Sequence, residues 1–576
     1  VKAAPVLLLA IALAGANPAR AEEQEFSPLA IASPEVVEAS GSQACTATTV
    51  QGFCLEAITH TPGPVQPLSN DPSDGRPGLA SEGRWNERAF PAGETTDLQA
   101  GLLDPLAGFT GSQPLLIAES ESREVEAEAE AEQLFALGAL IGTFHSSEFP
   151  YGAPSSVDDA GFWGNTQLLG DWGGWRKSLA ENGIFIDLTA TTFYQSVSNS
   201  TNPGGDWLET ASFNMTISTE AVGLWPGGFI HVGVDSKFGD SANVRAGSFS
   251  PVNYSATFPV QQEGDYILPT EYYLFQELGS PKLVAIAGKA TGINFADLNV
   301  FASNRKYQFN NTALNNNMML GGFIPWQSTW YGGLVWQVTP SLQSVTVAID
   351  PNGSAENFAD DFFKDVTIAQ QFTYRWGQTD LPGSLILGGL WSSKGSVDFA
   401  DPSSFAADGE IRFGDALNSS DGGSMFWLTF DQYFYRVPEN RLDPDLTFYT
   451  PRGAGVFARF GAGPDSSNLI RRFASLGMGG KGMITGRPYD EFGFGWYYLD
   501  FSRGTVESLQ NVSRIKSLLT GSEPRDFENE QGVEFYYNFA ITPAMRLTFD
   551  AQYIFNPFLS ASDGSLVIGS RLQLAF

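Results

Sequence analysis

The chain has 576 residues, with 62 Gly, 44 Phe and 13 Trp, only 17% charged residues and a formal charge of −32. Such acidity argues against a nucleic-acid partner, which requires basic clusters. A slightly negative mean hydropathy argues against a bundle of membrane helices, and two Cys and three His leave little material for thiol or metal chemistry.

At the amino terminus, Lys2 precedes the apolar run 6-VLLLAIALAGA-16 and then Ala19-Arg20-Ala21. A basic start, a short apolar run and an A-x-A site predict a secretory signal peptide over residues 1–21. The run is roughly half of the 20 or so residues a spanning helix needs, so export is expected. Residues 22–160 are rich in Pro, Gly, Ser, Glu and Ala and lack sustained periodicity. They read as a low-complexity, largely disordered acidic segment, with a short helix possible at 123-REVEAEAEAEQLFALGALIG-142. Cys45 and Cys54 fall within it, and in an oxidising compartment they are expected to close a small disulfide loop. Only His60 lies close, which does not complete a metal site.

The stretch 168-LLGDWGGWRKSLAENGIFIDLTATTFYQ-195 is a polar, helix-like piece running into an alternating strand. From about residue 184 the hydropathy period is two, and it stays so to the end. In 545-MRLTFDAQYIFN-556 the apolar side is Met545, Leu547, Phe549, Ala551, Tyr553 and Phe555, opposite Arg546, Thr548, Asp550 and Gln552. In 533-VEFYYNFAI-541, Val533, Phe535, Tyr537, Phe539 and Ile541 oppose Glu534, Tyr536 and Asn538. In 566-LVIGSRLQLAF-576, Leu566, Ile568, Leu572 and Leu574 oppose Arg571 and Gln573. Alternation of this length matches tilted membrane-spanning strands.

Short breaks at 225-WPGG-228, 279-GSPK-282, 339-TPS-341, 381-LPGS-384 and 542-TPA-544 alternate with longer polar stretches near 238–265, 291–325, 351–364 and 393–424. Tight turns on one rim and long loops on the other are the pattern of an outer-membrane barrel. A soluble sandwich would keep its polar face outside, and a β-helix would show a short internal repeat. The expected fold is therefore all-β: a transmembrane antiparallel β-barrel over residues 161–576. About 16 strands are expected. Residues 436–530 resist division, which leaves 18 open.

Three segments resemble the carbohydrate-selective porins of the OprB family: Leu169-Gly170-Asp171-Trp172-Gly173-Gly174 with Arg176, Leu179 and Gly183; 285-AIAGKATGINFADLNVFASNRKYQFNN-311; and 531-QGVEFYYNFAITPAMRLTFDAQYIFNPF-558 with the terminal LQLAF. The resemblance covers about residues 165–576. It implies a 16-stranded barrel in the bacterial outer membrane, with small sugars diffusing passively through it and membrane lipid around it. It also implies a constriction built from inward loops, which makes Asp297, Asn299, Asn304 and Arg305 candidates. Residues 22–160 fall outside the family pattern, leaving room for an envelope partner. A homotrimer stays open, since nothing identifies a subunit interface. The alternatives are a general non-selective porin and a structural or adhesive barrel.

A diffusion channel needs a wet constriction with weak polar contacts and no cofactor. Aromatic faces beside Arg, Asp, Glu and Asn suit sugars. Placing the more polar strand faces in the lumen gives Glu220, His231, Asp235, Lys289, Arg375, Trp427, Asp431, Arg459, Glu534, Asn538, Arg546, Asp550 and Arg571, with Lys289 and Arg375 foremost. Asp171, Trp172 and Arg176 are expected at the periplasmic mouth or in the lumen, with Trp172 and Trp175 packed on the wall. An enzyme is not expected: His231 is the only barrel His, and no G-x-S-x-G or paired-His helix motif occurs. The acidic Gly-rich pieces 71-DPSDG-75 and 420-SDGGS-424 lack calcium-loop spacing. If the facing is right, Arg at Leu547 or Phe549 is costly and Arg at Thr548 is cheap.

Overall fold

In the computed structural model the described residues are 165–576, apart from 280–281, 293–295, 378–380, 401–405, 408–409, 412–418, 438–451 and 522, together with 162–163 and the pairs 49–50 and 53–54. Residues 49–50 and 53–54 pair antiparallel, with Thr49 opposite Cys54. Cys45 lies outside the described residues, and so does the expected disulfide.

Sixteen strands close into an antiparallel barrel. They are β1 (Ile184–Ser198), β2 (Gly204–Ser218), β3 (Gly228–Gly239), β4 (Tyr266–Glu277), β5 (Leu283–Ala290), β6 (Thr329–Thr339), β7 (Leu342–Ile349) and β8 (Thr367–Trp376). The second half is β9 (Gly383–Ser392), β10 (Gly423–Arg436), β11 (Gly453–Ala462), β12 (Ile470–Lys481), β13 (Glu491–Phe501), β14 (Glu530–Thr542), β15 (Met545–Phe555) and β16 (Gly564–Ala575). β16 pairs with β1, from Leu566–Ser198 to Ala575–Thr189, so the described wall has no free edge. Among the described residues no helix is long and apolar enough to cross a membrane.

Burial alternates along the strands as the hydropathy does. On β15, Arg546, Thr548, Asp550 and Gln552 are buried inside, while Phe549 is 54% exposed outside. β14 likewise buries Glu534, Tyr536 and Asn538 and exposes Phe535 and Phe539. One rim carries connections such as 278–282, 340–341 and 543–544, and the other carries 240–265, 291–328, 350–366, 393–422 and 502–529.

The opening motif closes the seam between first and last strands. Gly173 and Gly174 adopt φ 70° and 92° and lead into α1 (Trp175–Glu181). Asp171 accepts the Lys177 N–H at 2.7 Å, and Arg176 donates to the Phe576 carbonyl at 2.6 Å. The Arg176 guanidinium also lies 4.8 Å from the Trp172 ring centroid. Gly183 has φ 74° and sits against Ala221, so a side chain there would be both strained and crowded. These residues therefore tie the short-turn rim together. Trp175 departs from the expected wall packing: it is 72% exposed.

Candidate functional site

Loop 291–328 leaves the wall between β5 and β6 and reaches strands on the far side of the barrel. Its attachments are buried charges. Arg459 on β11 lies 3.0 Å from the Asp297 carboxylate, with no exposure of either side chain. Arg459 also donates to the carbonyls of Ala302 (2.5 Å), Leu314 (2.6 Å) and Asn315 (2.9 Å). The same Asp297 accepts the Asn317 N–H at 2.6 Å and the Thr429 hydroxyl of β10. Glu534 on β14 accepts the N–H groups of Asn310 (2.6 Å) and Asn311 (2.9 Å). Arg571 on β16 donates to the carbonyls of Arg305 (2.9 Å) and Gln308 (2.7 Å) and to the Asn310 side chain (2.7 Å). A buried charge must be paired and hydrogen-bonded to persist, and the loop backbone provides those partners.

The loop's apolar residues do the rest. Phe301, Phe309, Leu314, Met319, Phe323 and Ile324 join one core cluster with inner-wall residues Ile286, Val335, Val345, Val347, Ile386 and Phe457. Each such side chain stabilises by about 1.5–3 kcal/mol when fully buried. Glycines on β13 make room for them: a Cβ on Gly493 would lie 2.8 Å from Phe309, and one on Gly495 would lie 2.7 Å from Leu314. Loop 240–265 is held similarly. Glu530 on β14 accepts the Phe249 (2.7 Å) and Ser250 (3.1 Å) N–H groups and the Ser248 hydroxyl (2.7 Å).

Several expected solute-contact residues thus have other employment. Asp297, Arg459 and Glu534 are clamps. Asn299 is buried and caps the local turn, accepting the Phe301 N–H at 2.9 Å. Trp427 is 1% exposed, its indole filling the space beside Gly388. Lys289 is on the opposite face from the one assigned to it. Its register partners are Tyr272 and Trp330, and Leu334 and Trp336 on that same face of β6 are 45% and 52% exposed. The inward residues of β5 include Val284, Ile286 and Ala290, packed in the core. Lys289 donates to the carbonyls of Ser354 (2.6 Å) and Asn357 outside the wall.

Other residues do meet across the lumen side. Arg305 lies 3.6 Å from Asp235 on β3, with its guanidinium 4.0 Å from the Phe258 ring centroid. Arg546 lies 4.8 Å from the Tyr307 centroid. Asn304, Arg305 and Tyr307 keep partial exposure among buried neighbours. Arg375, also partly exposed, shares the inward face with Ser384, whose hydroxyl donates to Asp431. His231 stands 3.2 Å from Glu271 and 3.0 Å from the Thr216 hydroxyl, stacked on Tyr273. Tyr307 and Phe258 escaped the sequence reading because only the paths of their folded loops bring them inward, and Glu271 escaped it because β4 pairs with β3 through a register shift at Gly233–Val234.

Residues 199–576 match the profile described as "Carbohydrate-selective porin, OprB family". Porin B of Pseudomonas aeruginosa is 23% identical over 206 residues, which is 35% of this chain and 42% of that protein, so the chain matches well under half of that relative's length. The high-pH structure of Pseudomonas putida OprB superimposes with a TM-score of 0.61 at 19% identity, covering 72% of this chain and all of that one. That likeness is one of fold. With a matching profile over most of its length and a closed barrel of sixteen strands, the chain belongs to the OprB family of carbohydrate-selective porins, proteins of the outer membrane.

Proposed function

We propose that the protein is a passive outer-membrane channel that admits small sugars, narrowed by loop 291–328. The observation that carries this reading is the loop's span: it is rooted between β5 and β6 and clamped to β11, β14 and β16. A loop fixed to the opposite wall reduces the lumen without closing it by chemistry. Solute contact is assigned to Asn304, Arg305 and Tyr307 of the loop, with Arg375 nearer the short-turn rim. Arg305 and Asp235 offer opposed charges, the guanidinium resting on the buried Phe258 ring, and Tyr307 adds a partly exposed aromatic ring. A sugar's C–H face and hydroxyls suit that combination. Passive diffusion involves no bond-making step, so no catalytic residue belongs to this reading.

The test is solute flux into liposomes carrying the folded protein, comparing glucose, a disaccharide and an amino acid of glucose size. Faster sugar entry, slowed by Arg305→Ala or Arg375→Ala, is the expected result. Equal rates for solutes of equal size would replace it with a general porin. No flux above empty liposomes would replace it with a structural barrel.

A further inference from the structure

Loop 350–366, between β7 and β8, does not join the inward loops. Its first residues stay at the rim, where the Asp350 carbonyl accepts the Thr329 hydroxyl and the Pro351 carbonyl accepts the Lys394 ammonium at 2.8 Å, whereas Ser354, Asn357, Phe358 and Phe362 lie against the outer face of the wall. Lys289 sends its ammonium to the carbonyls of Ser354 (2.6 Å) and Asn357 and is itself 1% exposed. Phe358 stacks on Tyr272 at 5.7 Å with an interplanar angle of 8°, and its carbonyl accepts the Trp330 indole N–H at 2.5 Å. Trp330 also meets the rings of Phe358 (5.4 Å) and Phe362 (5.5 Å) edge-on. Lys289, Tyr272 and Trp330 are register partners and share one face. On β6 that face continues into Leu334 and Trp336, both exposed.

Two features then need an explanation. Phe358 and Phe362 remain 68% and 54% exposed although the loop is tied down, and they extend the apolar outer wall at its long-loop rim. Asp361 and Lys364, 3.8 Å apart, have side chains 65% and 69% exposed. The loop therefore joins an apolar aromatic edge, continuous with the wall that faces lipid, to a charged edge. That division suits a segment lying between hydrocarbon and water.

We propose that loop 350–366 is seated in the outer leaflet against the outside of the barrel, with Phe358 and Phe362 at the boundary between lipid headgroups and acyl chains, and that Lys289 is the latch holding it there. The occupant of this aromatic surface is membrane lipid. Continuity with the lipid-facing wall argues for it over a second copy of the chain. The latch also explains a buried ammonium on an outward face: two backbone carbonyls replace its water.

The test places the photoreactive residue p-benzoylphenylalanine at position 358 of the full chain, in nanodiscs holding one barrel each and phospholipid of known mass, with position 361 as the control. Irradiation at 358 is expected to give the mass shift of a phospholipid adduct, several-fold more than at 361. Equal adducts at the two positions, or none, would overturn the membrane seat. In liposomes carrying many barrels, a protein–protein adduct at 358 in place of the lipid adduct would overturn lipid as the occupant. Lys289→Met should lower the adduct at 358 several-fold while heat-modifiable gel migration shows a folded barrel. An unchanged adduct in that variant would overturn the latch.

Discussion

Asp297 and Arg459 meet at 3.0 Å with neither side chain exposed, joining the inward loop to β11 across the lumen. Arg459→Met should leave the Asp297 carboxylate buried without its cation, a change that costs about 3–5 kcal/mol. Because the loop has other clamps, the barrel should still form, with a lower unfolding temperature and a larger, noisier single-channel conductance. Unchanged conductance would mean that this pair does not set the loop's position.

Glu534→Ala removes the acceptor for the Asn310 and Asn311 N–H groups. Leaving buried donors unmet costs about 1–3 kcal/mol. The expected readout is faster hydrogen exchange at 310–311, with little change on the outer wall.

The two faces of β15 should respond differently to charge. Phe549→Arg puts a cation into the hydrocarbon near mid-strand and should destabilise by about 2–4 kcal/mol. Thr548→Arg is not the cheap control the sequence suggests. Thr548 is fully buried and accepts from Arg571 at 3.2 Å, so a second guanidinium there meets both bulk and like charge. Thr548→Ser, which keeps the acceptor, should cost little. Urea titrations of the refolded barrel would compare the three.

Asp490, in the short-rim connection before β13, gives a pH-dependent element. Burial pushes its carboxyl pKa up, but hydrogen bonds from Arg487, Tyr537 and the Ala540 N–H outweigh that and hold it below the usual carboxylate range. The Arg487 contacts are 2.6 and 2.8 Å. A depressed folded pKa means stability fully present above the unfolded value, about 3.9, and lost as pH falls through the folded one. Amide protection across 482–490, taken relative to the intrinsic exchange rate at each pH, should therefore stay high at neutral pH and fall only in that acid range. Asp490→Asn should show low protection there at every pH.

Arg176→Ala removes the bond to the Phe576 carbonyl, a charge-assisted contact of about 1.5–3 kcal/mol. The unfolding temperature should fall while sugar flux per folded barrel holds. A selective loss of flux would move the opening motif into the solute path.

The facing of β14 to β16 was legible in the sequence because their inner residues are polar and their outer ones apolar. The middle was not legible, for a reason visible at Gly493 and Gly495. These inward positions hold no side chain because Phe309 and Leu314 of the loop occupy the space, and glycine gives no hydropathy signal. Lys289 misled for a related reason. Where the inner wall packs on the loop its residues are apolar, as at Val284 and Ile286, so the lone polar residue of β5 marked the outer face. The candidate loop was legible as a segment, but which of its residues remain accessible depends on clamps hundreds of positions away.

The seam between β16 and β1 has a consequence for biogenesis. Thr191 and Gln573, hydrogen-bonded at 2.5 Å, are 382 positions apart. Until the last strand arrives, both margins of the growing sheet present rows of unpaired amides, which invite pairing with other chains. Closure of so distant a pair is also intrinsically slow. Nascent molecules must therefore be chaperoned as open sheets, and a chain truncated before β16 should accumulate as aggregates rather than as a smaller barrel.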